Sequence, residues 1–133
     1  MAEARRYLEE AEKLFQKAFE EFEVAREKND STHLRDACAK GWLSAVEATN
    51  ALLVKRGVRE LPRSERGRRY MVFKHADREL RRLYLAIRDS LHIQGYYDGT
   101  LNFDEMKEYL NVACIHSEDK RNRGNIKASV RNK

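Results

Sequence analysis

Proline occurs once and glycine six times in 133 residues. With so few chain breakers, and with apolar residues recurring at helical spacing, the sequence argues for an all-α protein. Cysteine is also scarce. Cys38 and Cys114 lie far apart on separate apolar stripes and read as small buried hydrophobes. The chain has no CxxC and no paired Cys/His spacing, which argues against a structural zinc site, and no metal or cofactor is expected. No apolar run approaches the ~20 residues that a membrane span needs. The N-terminal stretch MAEARRYLEEAEK is acidic and helical with no apolar signal-peptide core, so a cytoplasmic location is expected. A phosphate-binding glycine loop, a nucleophile elbow and HExxH are all missing.

What the sequence has in quantity is charge, at 37% of residues. A chain this charged is disordered when it lacks sustained amphipathic periodicity, and this one does not lack it. The least charged long run is HLRDACAKGWLSAVEATNALLVKRG, residues 33–57. There Leu34, Cys38, Gly41, Ala45, Ala48 and Leu52 make one stripe, which Ala37, Trp42, Thr49 and Leu53 widen until little surface is left for water. Such a helix belongs in the middle of a bundle. Asp30, Ser31 or Thr32 is placed to cap its start, and Gly57 its end.

The remaining helices follow by the same reading. Residues 3–28 carry Leu8, Ala11, Phe15, Ala18, Phe22 and Ala25 at steps of three and four, predicting an antiparallel hairpin with the central helix. After the loop bearing Pro62, Ser64 is a candidate N-cap for a third helix, although Gly67 is a poor helix former. Leu80, Leu83, Tyr84, Ile87 and Leu91 define a fourth helix that Gly95 is expected to stop. In the loop GYYDGTLNFDE the oxygen side chains of Asp98, Thr100, Asn102 and Asp104 alternate. Phe103 and Tyr109 occupy the positions where a calcium loop needs Gly and Glu, which rejects calcium. A fifth helix is expected to follow, with Met106, Tyr109, Leu110 and Ala113 facing inward. The whole predicts an up-and-down bundle of about five helices over residues 1–120 and a basic, frayed tail over 121–133.

The formal net charge of +5 conceals segregation. Residues 1–30 are net −3, residues 55–92 net +7 with 12 basic against 5 acidic side chains, residues 93–119 net −5, and residues 120–133 hold six basic side chains and no acidic one. The basic block fits a polyanion partner. It equally fits a charge-rich surface that serves heat stability.

Chemistry concentrates in LAIRDSLHIQGYYDG, residues 85–99. Arg88 and His92 are four apart, hence on one helix face. A fixed cation beside an imidazole suits phosphodiester chemistry, the guanidinium holding phosphate and the ring moving a proton. Asp89 is placed to orient either group, and Tyr96 and Tyr97 lie just beyond. A histidine near a helix C-terminus is also favoured by the dipole without any function. Arg78, Arg81 and Arg82 extend a basic strip along the same helix, with Tyr70 and Tyr84 as stacking surfaces for bases.

ACAKGWLSAVEATNALLVKRG after a long first helix, followed by RDSLHIQGYY, resembles the HEPN superfamily, with the small archaeal paREP-like proteins as the nearest pattern, over roughly residues 5–117. The resemblance implies a helical homodimer that binds RNA or nucleotides. It also implies a metal-independent endoribonuclease of toxin–antitoxin type, with Arg88 and His92 as its motif. Three residues separate that pair, where the superfamily has roughly four to six. Many relatives of this type are non-catalytic, and the alternative is a protein-interaction module that pairs with itself or with a nucleotidyltransferase-type antitoxin.

Overall fold

The structure, a computed structural model, describes residues 2–98, with side chains over residues 3–96. Helix α1 (Ala2–Lys28) runs into α2 (Ser31–Lys55) through a two-residue link. Asn29 turns the chain in the left-handed region (φ 51°), where a short polar side chain is tolerated, and the Asp30 amide bonds back to the Ala25 carbonyl. Asp30 then caps α2, its carboxylate accepting from the Thr32 and His33 amides and touching His33 Nδ1 at 2.8 Å. At the far end Gly57 (φ 89°) closes α2, with the Val58 amide on the Leu53 carbonyl and the Gly57 amide on the Val54 carbonyl.

α1 and α2 pack antiparallel. Ala4, Leu8, Ala11, Ala18, Phe22 and Ala25 form the buried stripe of α1, while Ala37, Cys38, Gly41, Ala45, Ala48, Leu52 and Leu53 are buried along α2. Their small side chains let the two backbones approach. The register is fixed by the buried Ser44, whose hydroxyl donates to the Ala11 carbonyl at 2.6 Å, and by the ion pair of Lys40 with Glu21. Phe15, Phe19 and Phe22 meet edge to face along α1, with ring centroids 5.1 and 6.2 Å apart.

α3 (Glu65–His75) and α4 (Arg78–Ile87) are separate helices joined at Ala76–Asp77, and each has its own cap. Ser64 Oγ accepts from the Gly67 amide at 3.0 Å, and the Asp77 carboxylate accepts from the Leu80 amide at 2.9 Å. Gly67 sits in the first turn of α3 because a Cβ there would press on Ser64 Oγ and Pro62 Cβ, at 3.1 and 3.2 Å. α3 and α4 fold back on each other as a second, shorter hairpin. Val72, Ala76, Leu80, Tyr84 and Ile87 complete the core against Trp42, Ala45 and Phe22. α2 touches every other element and lies at the centre, as its sequence required.

Gly95 does not stop the fourth helix. The chain passes from α4 into a π-helical segment, Arg88–Asp98, that runs straight through it. Ser90 marks the change: its hydroxyl donates to the Ala86 carbonyl at 2.6 Å, the acceptor that its own amide would take in an α-helix. In the wider turn Ile87, Leu91 and Gly95 are all buried, at steps of four. A glycine with no side chain to place is accommodated on that inner face.

The described residues are therefore all-α, with four α-helices, the π-helical segment and no strand. The fifth helix expected near residues 102–117, Cys114 and the basic tail over 121–133 lie outside the described residues. No helix among those described is long and apolar enough to cross a membrane.

Phe22 is fully buried in the shared core, so Phe22→Ala is expected to lower unfolding free energy by about 3–5 kcal/mol. Ser44→Ala, which removes only the cross-helix bond, is expected to lower it by ~1 kcal/mol. Urea midpoints of the two variants against the parent chain check both values.

Candidate functional site

Arg88 and His92 come together on one side of the π-helical segment, half-buried, and groups from two other elements meet them there. Glu65, at the start of α3, holds the centre. Its carboxylate accepts from the Tyr84 hydroxyl at 3.0 Å and lies 2.8 Å from Arg88 Nε, with Arg69 at 3.9 Å. The Arg88 contact is a meeting of charges without a linear N–H···O bond. Arg88 Nη1 donates to Asp89 at 2.9 Å, so its guanidinium already faces two carboxylates.

His92 lies flat on Trp42 of α2, the ring centroids 4.8 Å apart and the planes 15° from parallel. Trp42 also meets the Tyr84 ring at 5.6 Å. Burial lowers the His92 pKa from its ordinary value; Glu65 pulls it up, while Arg88 and Arg68 push it further down. Arg68 of α3 is close enough to act on Tyr84 and on Glu47 of α2 as well. Burial raises the Tyr84 phenol, and the adjacent Glu65 carboxylate adds to that. Burial likewise raises Glu47, against an opposing hydrogen bond from Asn50. The site thus sets Arg68 and Arg88 against Glu47, Glu65 and Asp89, with an imidazole stacked on an indole and its pKa lowered by burial. Chemically it offers an imidazole beside two cations, of which Arg88 is paired with Glu65 and Asp89.

The other sequence candidates fall elsewhere. Arg81 turns toward α3, its guanidinium 4.8 Å over the Phe73 ring and donating to the Phe73 carbonyl at 3.4 Å. Arg78 and Arg82 are exposed on α4, so the basic strip divides: Arg88 turns in to Glu65 while the others face outward. Tyr96 is exposed in the last turns of the π-helical segment, and the Tyr97 side chain lies outside the described residues. Glu65, Arg68 and Trp42 were not visible as site residues in sequence, because only the folding of α3 onto α4 and α2 brings them to Arg88 and His92. No group of three or more His, Cys, Asp or Glu among the described residues is placed to hold a metal ion.

On the outer side of the α3/α4 hairpin lies an open groove of about 400 Å³. Arg66, Arg69 and Arg81 stand along it, and Val72, Tyr84 and Leu85 contribute to its apolar lining. Tyr70 and Phe73, which also line it, are 61% and 67% exposed, more than any other large apolar side chain described. The sequence offers Tyr70 as a stacking surface; the exposure of Phe73 beside it comes from the structure.

His92 is expected to make stability fall with acid. With the folded pKa below the unfolded value of 6.5, the contribution is present above pH 6.5 and is lost as pH drops through the folded pKa. His92→Phe keeps a ring on Trp42 and removes the titration, so its urea midpoint is expected to fall less than that of the parent chain between pH 7.5 and pH 5.5. Glu65→Ala, which strips Tyr84 of its acceptor and Arg88 of a carboxylate partner, is expected to cost ~2 kcal/mol by the same assay.

A family model described as a domain of unknown function (DUF5618) matches residues 1–115. No curated protein and no solved structure matches the chain.

Proposed function

We propose that this chain, which belongs to the DUF5618 family, binds RNA through the face formed by α3 and α4. The observation that carries the reading is the set of cations on that face that have no carboxylate to neutralise them. Arg66, Lys74, Arg78 and Arg82 are exposed and make no ion pair among the described residues. The net charge of +7 over residues 55–92 is concentrated in these elements. The acidic helix α1 packs on α2 and makes no comparable contact with α3 or α4. A surface of this kind releases counterions from a phosphate backbone, which makes affinity steeply dependent on salt. The resemblance to HEPN domains supports RNA as the polyanion and a homodimer as the working form.

A second reading, a metal-independent ribonuclease centred on Arg88 and His92, is favoured by one observation. An imidazole beside two guanidiniums, its pKa lowered first by burial, is shifted toward the unprotonated form that a general base needs. Against it, Arg88 already faces Glu65 and Asp89. The competing class is a protein-interaction module, in which the partner is another copy or an antitoxin.

Salt separates the classes. Affinity for a 20-nucleotide single-stranded RNA is expected to fall between 50 and 200 mM salt, with a logarithmic slope of about −0.7 per phosphate engaged. Arg78→Gln with Arg82→Gln is expected to weaken binding and make that slope shallower by about 1.4. Binding that is indifferent to salt would instead favour an apolar protein contact. For the second reading, RNA is incubated in EDTA with the parent chain and with an equally folded His92→Ala. Cleavage only by the parent supports catalysis; cleavage by neither leaves a binding protein.

A further inference from the structure

We infer that the groove between α3 and α4 receives the unpaired bases of a single strand, with Tyr70 as the stacking platform and Arg66 and Arg69 holding the flanking phosphates. The inference rests on the RNA reading above and specifies where and in what form the strand is held. Cations and exposed rings share one side of α3: Arg66 is one turn from Tyr70, and Arg69 one turn from Phe73, about 5–6 Å between Cβ atoms in each pair. A strand likewise carries a phosphate within reach of each planar base. The lining holds three arginines and no carboxylate; Glu65 lies 3.9 Å from Arg69, while Arg66 makes no ion pair among the described residues, so the charge of the groove complements a polyanion.

The apolar part of the groove identifies the form of nucleic acid. Two aromatic rings more than three-fifths exposed, with Leu85 beside them, make a patch that a duplex has no means of covering, because its bases face one another inside the stack. An unpaired base covers it, since every base has an apolar face. Arg81 lies over the Phe73 ring and turns that ring into a fixed, positively charged wall. At about 400 Å³ the groove lies in the lower range of small-molecule pockets, on the scale of about one or two bases. The apolar surface alone would also suit an acidic amphipathic peptide or a second copy; the arginines that stand one turn from the exposed rings on the same helix face favour the strand.

The test compares two probes on the full chain: a 12-nucleotide oligoadenylate RNA, and inorganic polyphosphate, which carries charge without bases. Tyr70 is exposed and touches little, so Tyr70→Ala is expected to fold normally. It is expected to raise the Kd for oligoadenylate at least about fivefold while changing that for polyphosphate less than about twofold. Tyr70→Phe, which keeps the ring, is expected to bind like the parent. Arg66→Gln with Arg69→Gln is expected to weaken both probes. If Tyr70→Ala weakens both probes alike, or neither, the base site is overturned while the RNA reading survives on the arginine result. If the parent chain binds neither probe, the RNA reading itself fails and takes the inference with it. If sedimentation gives a dimer for the parent and a monomer for Tyr70→Ala, the groove is a contact between copies and the inference is overturned.

Discussion

A helix with almost no side left for solvent must be given partners all round, and α2 imposes that requirement on the rest of the chain. The small residues on one side of it draw α1 in close enough for Ser44 to reach a main-chain carbonyl across the interface. Trp42 works outward in the other direction. Its ring carries Tyr84 on α4 and His92 on the π-helical segment, so both halves of the molecule meet on one indole.

The second constraint is electrostatic. Glu65 joins the start of α3 to α4 through Tyr84 and to the π-helical segment through Arg88, and its carboxylate is a partner the two share. Charges buried this far are retained only with partners, and Arg88 is matched by Glu65 and Asp89 inside the molecule. Those on the outer face of the same hairpin are not. The protein therefore separates its arginines into two populations within a few turns of helix: Arg88, which is paired inside the fold, and Arg66, Arg78 and Arg82, which make no ion pair among the described residues. Composition alone does not tell the two apart, since both belong to one basic block.

The hairpin of α1 and α2, its caps and its buried stripes were legible in sequence because they depend on periodicity and on residues a few positions apart. Asp30, Ser64 and Gly57 act where local chemistry placed them. The pair Arg88 and His92 was legible for the same reason, being four residues apart. Glu65 was not, because it meets Tyr84 and Arg88 from 19 and 23 positions away, and no local pattern encodes that meeting. Gly95 misled for a different reason: a glycine ends an α-helix, but on the inner side of a π-helical turn it simply needs no space. Gly67 looked like a defect in α3 and is instead what lets the first turn close under Pro62.

The two hairpins also differ in how they are held. α1 and α2 are long, are joined by two residues, and bury a continuous stripe against each other. α3 and α4 are 11 and 10 residues long and reach the core through a handful of side chains and the Glu65 carboxylate. Local opening free energies follow such differences, which makes the α3/α4 hairpin the less protected cooperative unit. The surface that carries the unmatched cations thus rides on the half of the molecule that opens more readily. A partner that grips it would tighten that half and leave the long hairpin unchanged, so occupancy would be written in amide-exchange rates before it altered any shape.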